Sequence, residues 1–426
     1  MSGGGGLLEP TLRNILCVIN PLREDWSIRF NIIDELRAVV QSIESLRGAT
    51  VEPFGSFVSN LFTRWGDLDI SIELSNGSHI SSAGKKHKQT LLGDVLNTLR
   101  RKGGCRKLRF IGNARIPILK FETAHNISCD ISINNLSGQM KSKLLFWINE
   151  IDGRFRDMVL LVKEWAKTHN INDPKSGTLN SYSISLLVLF HFQTCVPAIF
   201  PPLKEIYPGN LVDDLIGVRA LAEKHVEETC AVNINRYRSD RSRIINRSSL
   251  SQLFMSFLEK FSDISAKAAT QGISPYTGQW EDIDTNMRWL PKTYALFIED
   301  PFEQPVNAAR TVSDKQLERI SEAFQTTLNL LIAANQDQNI LVSTLVRPHI
   351  SRFLAKTPVR YQTNNSYGTR PPIQRAIQPA VRVQQQFQNR RSEMRQNETN
   401  QRPVPAIRSP KTYSQAQRSW RPRSET

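Results

Sequence analysis

The stretch PFGSFVSNLFTRWGDLDISIEL, residues 53–74, decides how the rest of the chain is read. Leu68, Ile70, Ile72 and Leu74 alternate with Asp67, Asp69, Ser71 and Glu73, the period-two pattern of a half-buried strand. Asp67 and Asp69, two apart on that strand, project from one face while Leu68 and Ile70 turn into the core. Like charges so close repel unless a cation lies between them. Hard oxygen donors favour magnesium (or manganese), held by one or two carboxylates together with substrate phosphates. Eleven residues before Asp67, Gly55 and Ser56 form a small turn whose backbone amides and hydroxyl can approach an anion as large as a triphosphate.

Working outward, residues 129–133 give a second strand in which Ile131 and Ile133 oppose Asp130 and Ser132, and residues 118–121 with a turn at 124–126 make it one arm of a hairpin. If this strand lies beside the first, Asp130 joins Asp67 and Asp69 at one edge, enough for a two-metal site that activates a hydroxyl and neutralises a leaving pyrophosphate. A carboxylate pair on a strand is by itself common on solvent-facing sheet edges; the three elements together carry the inference. Residues 90–101 are expected to be helical, and apolar spacings of three and four over residues 14–46, broken at Pro21, predict two further helices. After Gly138 the helical period persists to about residue 345. Beyond it Gln, Arg, Pro, Ser and Asn dominate, with too few apolar residues to offset ordering entropy, so a disordered basic tail is expected.

Of the 426 residues 39% are hydrophobic, and the formal net charge is +15. Residues 351–426 hold 15 Lys and Arg against 3 Asp and Glu, leaving 40 against 37 before them. A body so nearly neutral does not attract nucleic acid in bulk, so recognition must come from a local site, with the tail as accessory. Five scattered cysteines without a CxxC pair argue against a disulfide framework or structural zinc. The opening MSGGGGLLEP does not read as a secretory leader. The apolar run at 184–200 is too short and too polar for a bilayer and reads as a core helix.

Other residues admit two readings from spacing alone. Lys163 and Lys167, four apart on a helical run, share a face that either meets phosphates or is simply solvated. Ser181 sits where a helix begins, a natural anion site, and Tyr182 beside it is either core or a base-stacking platform. Arg64, next to Trp65, either holds phosphate or is an exposed loop arginine. His125, His169, His191 and His225 show no ligand spacing and read as core or turn residues. In the tail, arginines interleave with Phe387, Tyr413 and Trp420; this composition fits single-stranded RNA binding, a solubilising segment, or a protein-docking segment.

Residues 53–74, the strand CDISINN at 129–135, LVKEWAKTHNINDPKSGTLNSYS at 161–183 and FIEDPFEQPVNAAR at 297–310 together resemble the noncanonical poly(A) polymerase and terminal uridylyltransferase family, with DNA polymerase beta-like catalytic domains. The resemblance covers roughly residues 10–345 and is strongest to the plant small-RNA 3′-terminal uridylyltransferases. It implies an α+β fold: a flexible N-terminus (1–10), N-terminal helices packing with the helical domain (11–46), a small mixed-sheet nucleotidyltransferase domain (47–138), a larger helical PAP-associated domain (139–347) and the disordered tail (348–426). It implies that Asp67 and Asp69 ligate two magnesium ions and that Asp130 completes the one holding the RNA 3′-hydroxyl. It further assigns Gly55, Ser56, Lys163, Lys167 and Ser181 to the triphosphate, and Tyr182, Asp300 and Glu303 to the neighbourhood of the base. The implied activity is transfer of uridine from UTP to the 3′ ends of small RNAs lacking 2′-O-methylation, promoting their decay.

Two departures stand out. Val306 occupies the place where several uridylyltransferases carry a uracil-selecting His, and Lys141, with Ser142 beside it, the place of an Asn that contacts ribose and uracil. Adenylation is therefore the alternative within the enzyme class; a catalytically silent RNA-binding scaffold and a small-molecule transferase are the alternatives outside it. The expected partners are single-stranded RNA 3′ ends and Argonaute-type proteins, with no membrane. The chain is expected to act as a monomer, in the cytoplasm, the nucleus or both.

Overall fold

The structure, a computed structural model, describes residues 6–74, 79–80, 83–289, 294–333 and 337–356. Two helices, α1 (Leu8–Ile19) and α2 (Arg23–Gln41), lead into β1 (Thr50–Phe54), the single turn α3 (Gly55–Val58), β2 (Leu68–Glu73), α4 (Lys85–Lys102), β3 (Arg106–Ile111), β4 (Ile118–Glu122) and β5 (Ser128–Ile133). The five strands form one mixed sheet in the order β1-β2-β5-β4-β3. β2 and β5 run parallel and every other neighbouring pair antiparallel. Pro53 is accommodated because β1 is an edge strand, where a missing donor is tolerated.

The helical half comprises α5 (Leu136–Asn149), α6 (Arg154–Thr168), α7 (Ser181–Thr194), α8 (Leu211–Asp214), α9 (Arg219–Ser239), α10 (Leu250–Phe261), α11 (Ile264–Ala268), α12 (Asp314–Ala333), α13 (Gln338–Leu345) and α14 (Pro348–Lys356). The run at 184–200 is a core helix as expected: α7 is buried from Ser183 to Gln193 among Phe155, Phe200 and Phe257. Among the described residues no helix is long and apolar enough to cross a membrane. α5 packs against both β1 and α9 and so joins sheet to helices.

The structure shifts several expected boundaries. α1 starts at Leu8, inside the expected flexible terminus, because Leu12, Ile15 and Ile19 are fully buried against α6, α10 and α13. α2 does not follow it into the helical domain. It lies on β1 and α4, with Trp26 wedged 5.0 Å from the Phe57 ring and 4.7 Å from the Phe62 ring. The helical domain also contains a hairpin, β6 (Gln271–Ser274) with β7 (Gln279–Asp282). Residues 348–356 of the expected disordered tail form α14, held by buried Ile350 and by Trp65 against His349 and Phe353. The rest of the tail lies outside the described residues.

β2 is more deeply buried than a half-buried strand. Ser71 and Glu73, expected to face water, are covered by α5 and α9. Glu73 is satisfied there by Ser71, Gln139 and, at 2.7 Å, by Arg219, which also pairs with Glu223 at 2.7 Å; Lys143 reaches Glu223 at 3.0 Å. These charges pull the Glu223 carboxyl down to about 2 against the opposing effect of burial. A buried pair of this kind is a connection whose rupture is costly, since either partner left alone is an unpaired buried charge.

Candidate active site

The parallel pairing of β2 with β5 sets Asp69 directly opposite Asp130, while Leu68 and Cys129, one step back, turn together into the core. Asp67 precedes the first residue of β2 and is exposed. Burial raises the Asp69 carboxyl to about 7, with Asp130 and then Asp67 adding repulsion. Burial likewise raises Asp130, opposed by Lys120. Lys120, on β4 and in register with Asp130, reaches Asp130 Oδ1 at 3.0 Å and Asp67 Oδ2 at 3.3 Å. Burial works against its ammonium, but the two carboxylates prevail and hold its pKa above the ordinary value.

A divalent cation fits this site chemically. Three carboxylates with one ammonium, seated between Asp67 and Asp130, leave negative charge in excess, and Asp130 Oδ1, shielded from solvent, is met by Lys120 as an ion pair without an aligned hydrogen bond. Among the described residues no group of three or more His, Cys, Asp and Glu side chains is drawn together closely enough to hold a metal ion by itself. A magnesium-type site takes its remaining ligands from water and substrate phosphate.

The glycine-serine turn lies against these carboxylates. Gly55 adopts φ +68°, and a Cβ at that position would collide with Asp69 Oδ2, so only glycine permits this approach. The Gly55 N–H donates to Ser142 Oγ at 2.7 Å, and Ser142 in turn donates to the Gly138 carbonyl, which ties the turn to α5. Ser56 follows as the second residue of α3.

Lys163 and Lys167 stand on one face of α6, as their spacing requires, but Lys163 is not solvated. Its ammonium is buried, donates to the Leu61 carbonyl at 3.0 Å, and is pushed down to about 7 by burial and by Lys167, against Asp69 and Asp67. Burial and Arg347 lower Lys167 as well. Ser181 is the first residue of α7, capped by Asn180, and its hydroxyl donates to Asn172 Oδ1 at 3.2 Å.

Tyr182, Asp300 and Glu303 meet as a second cluster, completed by Lys141. Its ammonium lies 2.5 Å from Asp300 Oδ2, 2.9 Å from Glu303 Oε2 and 5.6 Å from the centre of the Tyr182 ring. The Tyr182 hydroxyl donates to Asp300 Oδ1 at 2.9 Å, and burial together with that carboxylate raises the phenol well above its ordinary pKa. Ser137 donates to Glu303. Val306 exchanges backbone hydrogen bonds with Asp300 and Glu303 and so shapes the loop.

The sequence reading did not single out Lys120 or Arg29. Lys120 was within reach of hairpin arithmetic: a turn centred on His125 sets residue 120 opposite 130. Arg29 carried no sequence signal. It is fully buried in α2 and donates to the carbonyls of Asp25, Arg64 and Gly66, which fixes the loop that presents Asp67. Arg64 pairs with Asp25 at 3.1 Å and lies over Trp65. His169 bonds the Thr344 carbonyl and His191 lies in the core beside Ser256, both structural roles.

The family described as the central palm domain of mitochondrial-like poly(A) RNA polymerases matches residues 8–150, which span α1, α2 and the whole sheet. Protein HESO1 of Arabidopsis thaliana is 54% identical over 417 residues, 97% of this chain and 80% of that protein. The terminal uridylyltransferase cid1 of Schizosaccharomyces pombe is 27% identical over 70% of this chain and 72% of its own length. A crystal structure of a Cid1 poly(U) polymerase mutant bound to MgATP superposes with a TM-score of 0.61 at 25% identity, covering 80% of this chain and 98% of that one. With a plant relative more than half identical over 97% of this chain, and the palm match lying over the strands that bear the aspartates, the chain belongs to the family of noncanonical poly(A) polymerases and terminal uridylyltransferases.

Proposed function

We propose that the chain is a template-independent RNA 3′-terminal uridylyltransferase that adds uridine from UTP to small RNAs lacking 2′-O-methylation and so commits them to degradation. The observation that carries the chemistry is the in-register pairing of Asp69 with Asp130, with Asp67 at the mouth of the same strand. The bound divalent cation, magnesium or manganese, supplies charge neutralisation at the attacking and leaving oxygens. The protein's own residues do the positioning. Asp67 and Asp69 would hold the metal ions, with Asp130 completing the set on the side of the RNA 3′-hydroxyl. Gly55 and Ser56 cradle the phosphates with Lys163, Lys167 and Ser181. Tyr182 stacks on the base, with Asp300 and Glu303 at its edge. Transfer of this kind relies on positioning and electrostatics more than on covalent help.

Uridine is supported by the identity with the Arabidopsis relative and by the motifs shared with the plant small-RNA uridylyltransferases. Adenylation remains the second reading because Lys141 and Val306 replace the Asn and His of related uridylyltransferases at the base cluster. Incubating one short single-stranded RNA with each of the four triphosphates in magnesium or manganese separates the readings: extension by UTP alone is expected, and extension by ATP alone would replace the proposal by its rival. A 2′-O-methylated 3′ end, run in parallel, should block addition. The variant carrying Asp67→Ala and Asp69→Ala should fold and add nothing; persistent extension would sink the assignment. Action as a monomer, on RNAs presented by Argonaute-type proteins and in the cytoplasm or nucleus, completes the reading.

A further inference from the structure

The reading above leaves Lys120 without a task. Its position is fixed by the backbone: β4 and β5 are antiparallel neighbours with Lys120 opposite Asp130, so its side chain emerges on the face that carries the carboxylates. Its ammonium touches Asp130 and Asp67 together, at 3.0 and 3.3 Å. Of the neighbouring cations, Lys163 is committed to the Leu61 carbonyl. We propose that Lys120 is a built-in counter-cation, seated between Asp67 and Asp130 until a divalent ion arrives with the nucleotide, so that the protein alone binds the metal weakly.

The inference rests on the reading of the three aspartates as metal ligands and not on which nucleotide is transferred. An ammonium and a divalent ion cannot both lie between the same two carboxylates, so a metal entering alone must expel Lys120 from both partners. The expelled ammonium then gives up both of its carboxylate partners. A triphosphate changes that balance. Its oxygens complete the metal's coordination and offer the displaced ammonium a new anionic partner. Metal and nucleotide then each strengthen the other's binding, and by linkage the coupling is reciprocal. The benefit to the metal-free protein is structural: with Lys120 in place, Asp67 and Asp130 are not left facing one another as unpaired charges beside half-buried Asp69.

The test is a titration of manganese into protein without nucleotide or RNA, with free manganese followed by electron paramagnetic resonance. Lys120→Met is expected to bind the ion about tenfold more tightly than wild type, since tenfold corresponds to about 1.4 kcal/mol, well within the reach of one unit charge at contact. Lys120→Arg, which keeps the charge, should stay near wild type. A non-hydrolysable UTP analogue should tighten manganese binding strongly in wild type and much less in Lys120→Met. In chelator the Met variant should melt below wild type, and manganese should close the gap; Lys120→Gln serves if the Met variant fails to fold. Adding Asp130→Asn locates the ion, because it must abolish the tight binding. Manganese bound at the aspartates with unchanged affinity in Lys120→Met overturns the counter-cation and leaves the metal-ligand reading standing. Binding indifferent to Asp130→Asn overturns both.

Discussion

The two charged clusters, Lys141 with its carboxylates and Lys120 with the aspartates, handle charge in opposite ways. In one, Lys141 lies between Asp300 and Glu303 with the Tyr182 hydroxyl and Ser137 filling further oxygens, a nearly buried set in which every named group has a partner. In the other, Asp67 and Asp130 share Lys120, Asp69 is driven to about 7, and Asp130 Oδ1 lacks an aligned hydrogen bond. The Lys141 cluster is complete as a protein, whereas the aspartate cluster is left with negative charge in excess. Removing a charge should therefore harm stability in the first cluster and activity in the second.

The sharpest separation is expected from Asp130→Asn, with loss of kcat on the order of a thousandfold and little change in melting temperature, read by single-turnover extension and calorimetry. Lys141→Met should do the reverse first: two largely buried carboxylates lose their cation, at about 3 kcal/mol of stability in denaturant unfolding. A Lys141→Met protein as stable as wild type would end the contrast. Gly55→Ala should lower the rate by about a hundredfold, because the new Cβ displaces the Asp69 carboxylate while leaving the fold standing.

The smallest effect is a pH dependence of the metal-free protein. The folded-state pKa of Asp69 lies above its ordinary value, so its contribution to stability is full below about pH 4 and is lost as pH rises through about 7. Against Asp69→Asn, which cannot ionise, wild type in chelator should lose about 2–4 °C of melting temperature between pH 5 and 8. A constant difference across that range would mean that Asp69 ionises as freely as an exposed carboxylate.

How much of this was legible depended on distance along the chain. The strand at 68–73, the hairpin at 118–133 and the helix read at 90–101, which runs from 85 to 102, were readable because alternation, turn residues and helical spacing are local. β1 escaped because Pro53 demotes a strand unless it lies at an edge, and β3 because Arg106, Lys107 and Arg109 leave it mostly exposed. The polar side of β2 was misjudged as solvent-facing because no local pattern tells that Arg219, 146 residues away, will neutralise Glu73. In the site, Asp67, Asp69 and Asp130 were visible from strand chemistry alone, whereas Tyr182, Asp300 and Glu303 took their places only through the family's motifs. That Lys141 stands between Asp300 and Glu303 rests on a contact across 159 residues, beyond the range of any periodicity.

The clamp on Glu73 makes β2 a lever. The strand is bolted to α9 at Glu73 and carries Asp69 four residues away, an arm of about 13 Å. If sheet and helices rock against each other, the bolted end is the fulcrum and the carboxylate end travels farthest, by about 2 Å for each 10° of rotation over that arm. Loosening the bolt with Arg219→Met would thus be felt as play at the catalytic tip, in a residue that never meets the substrate.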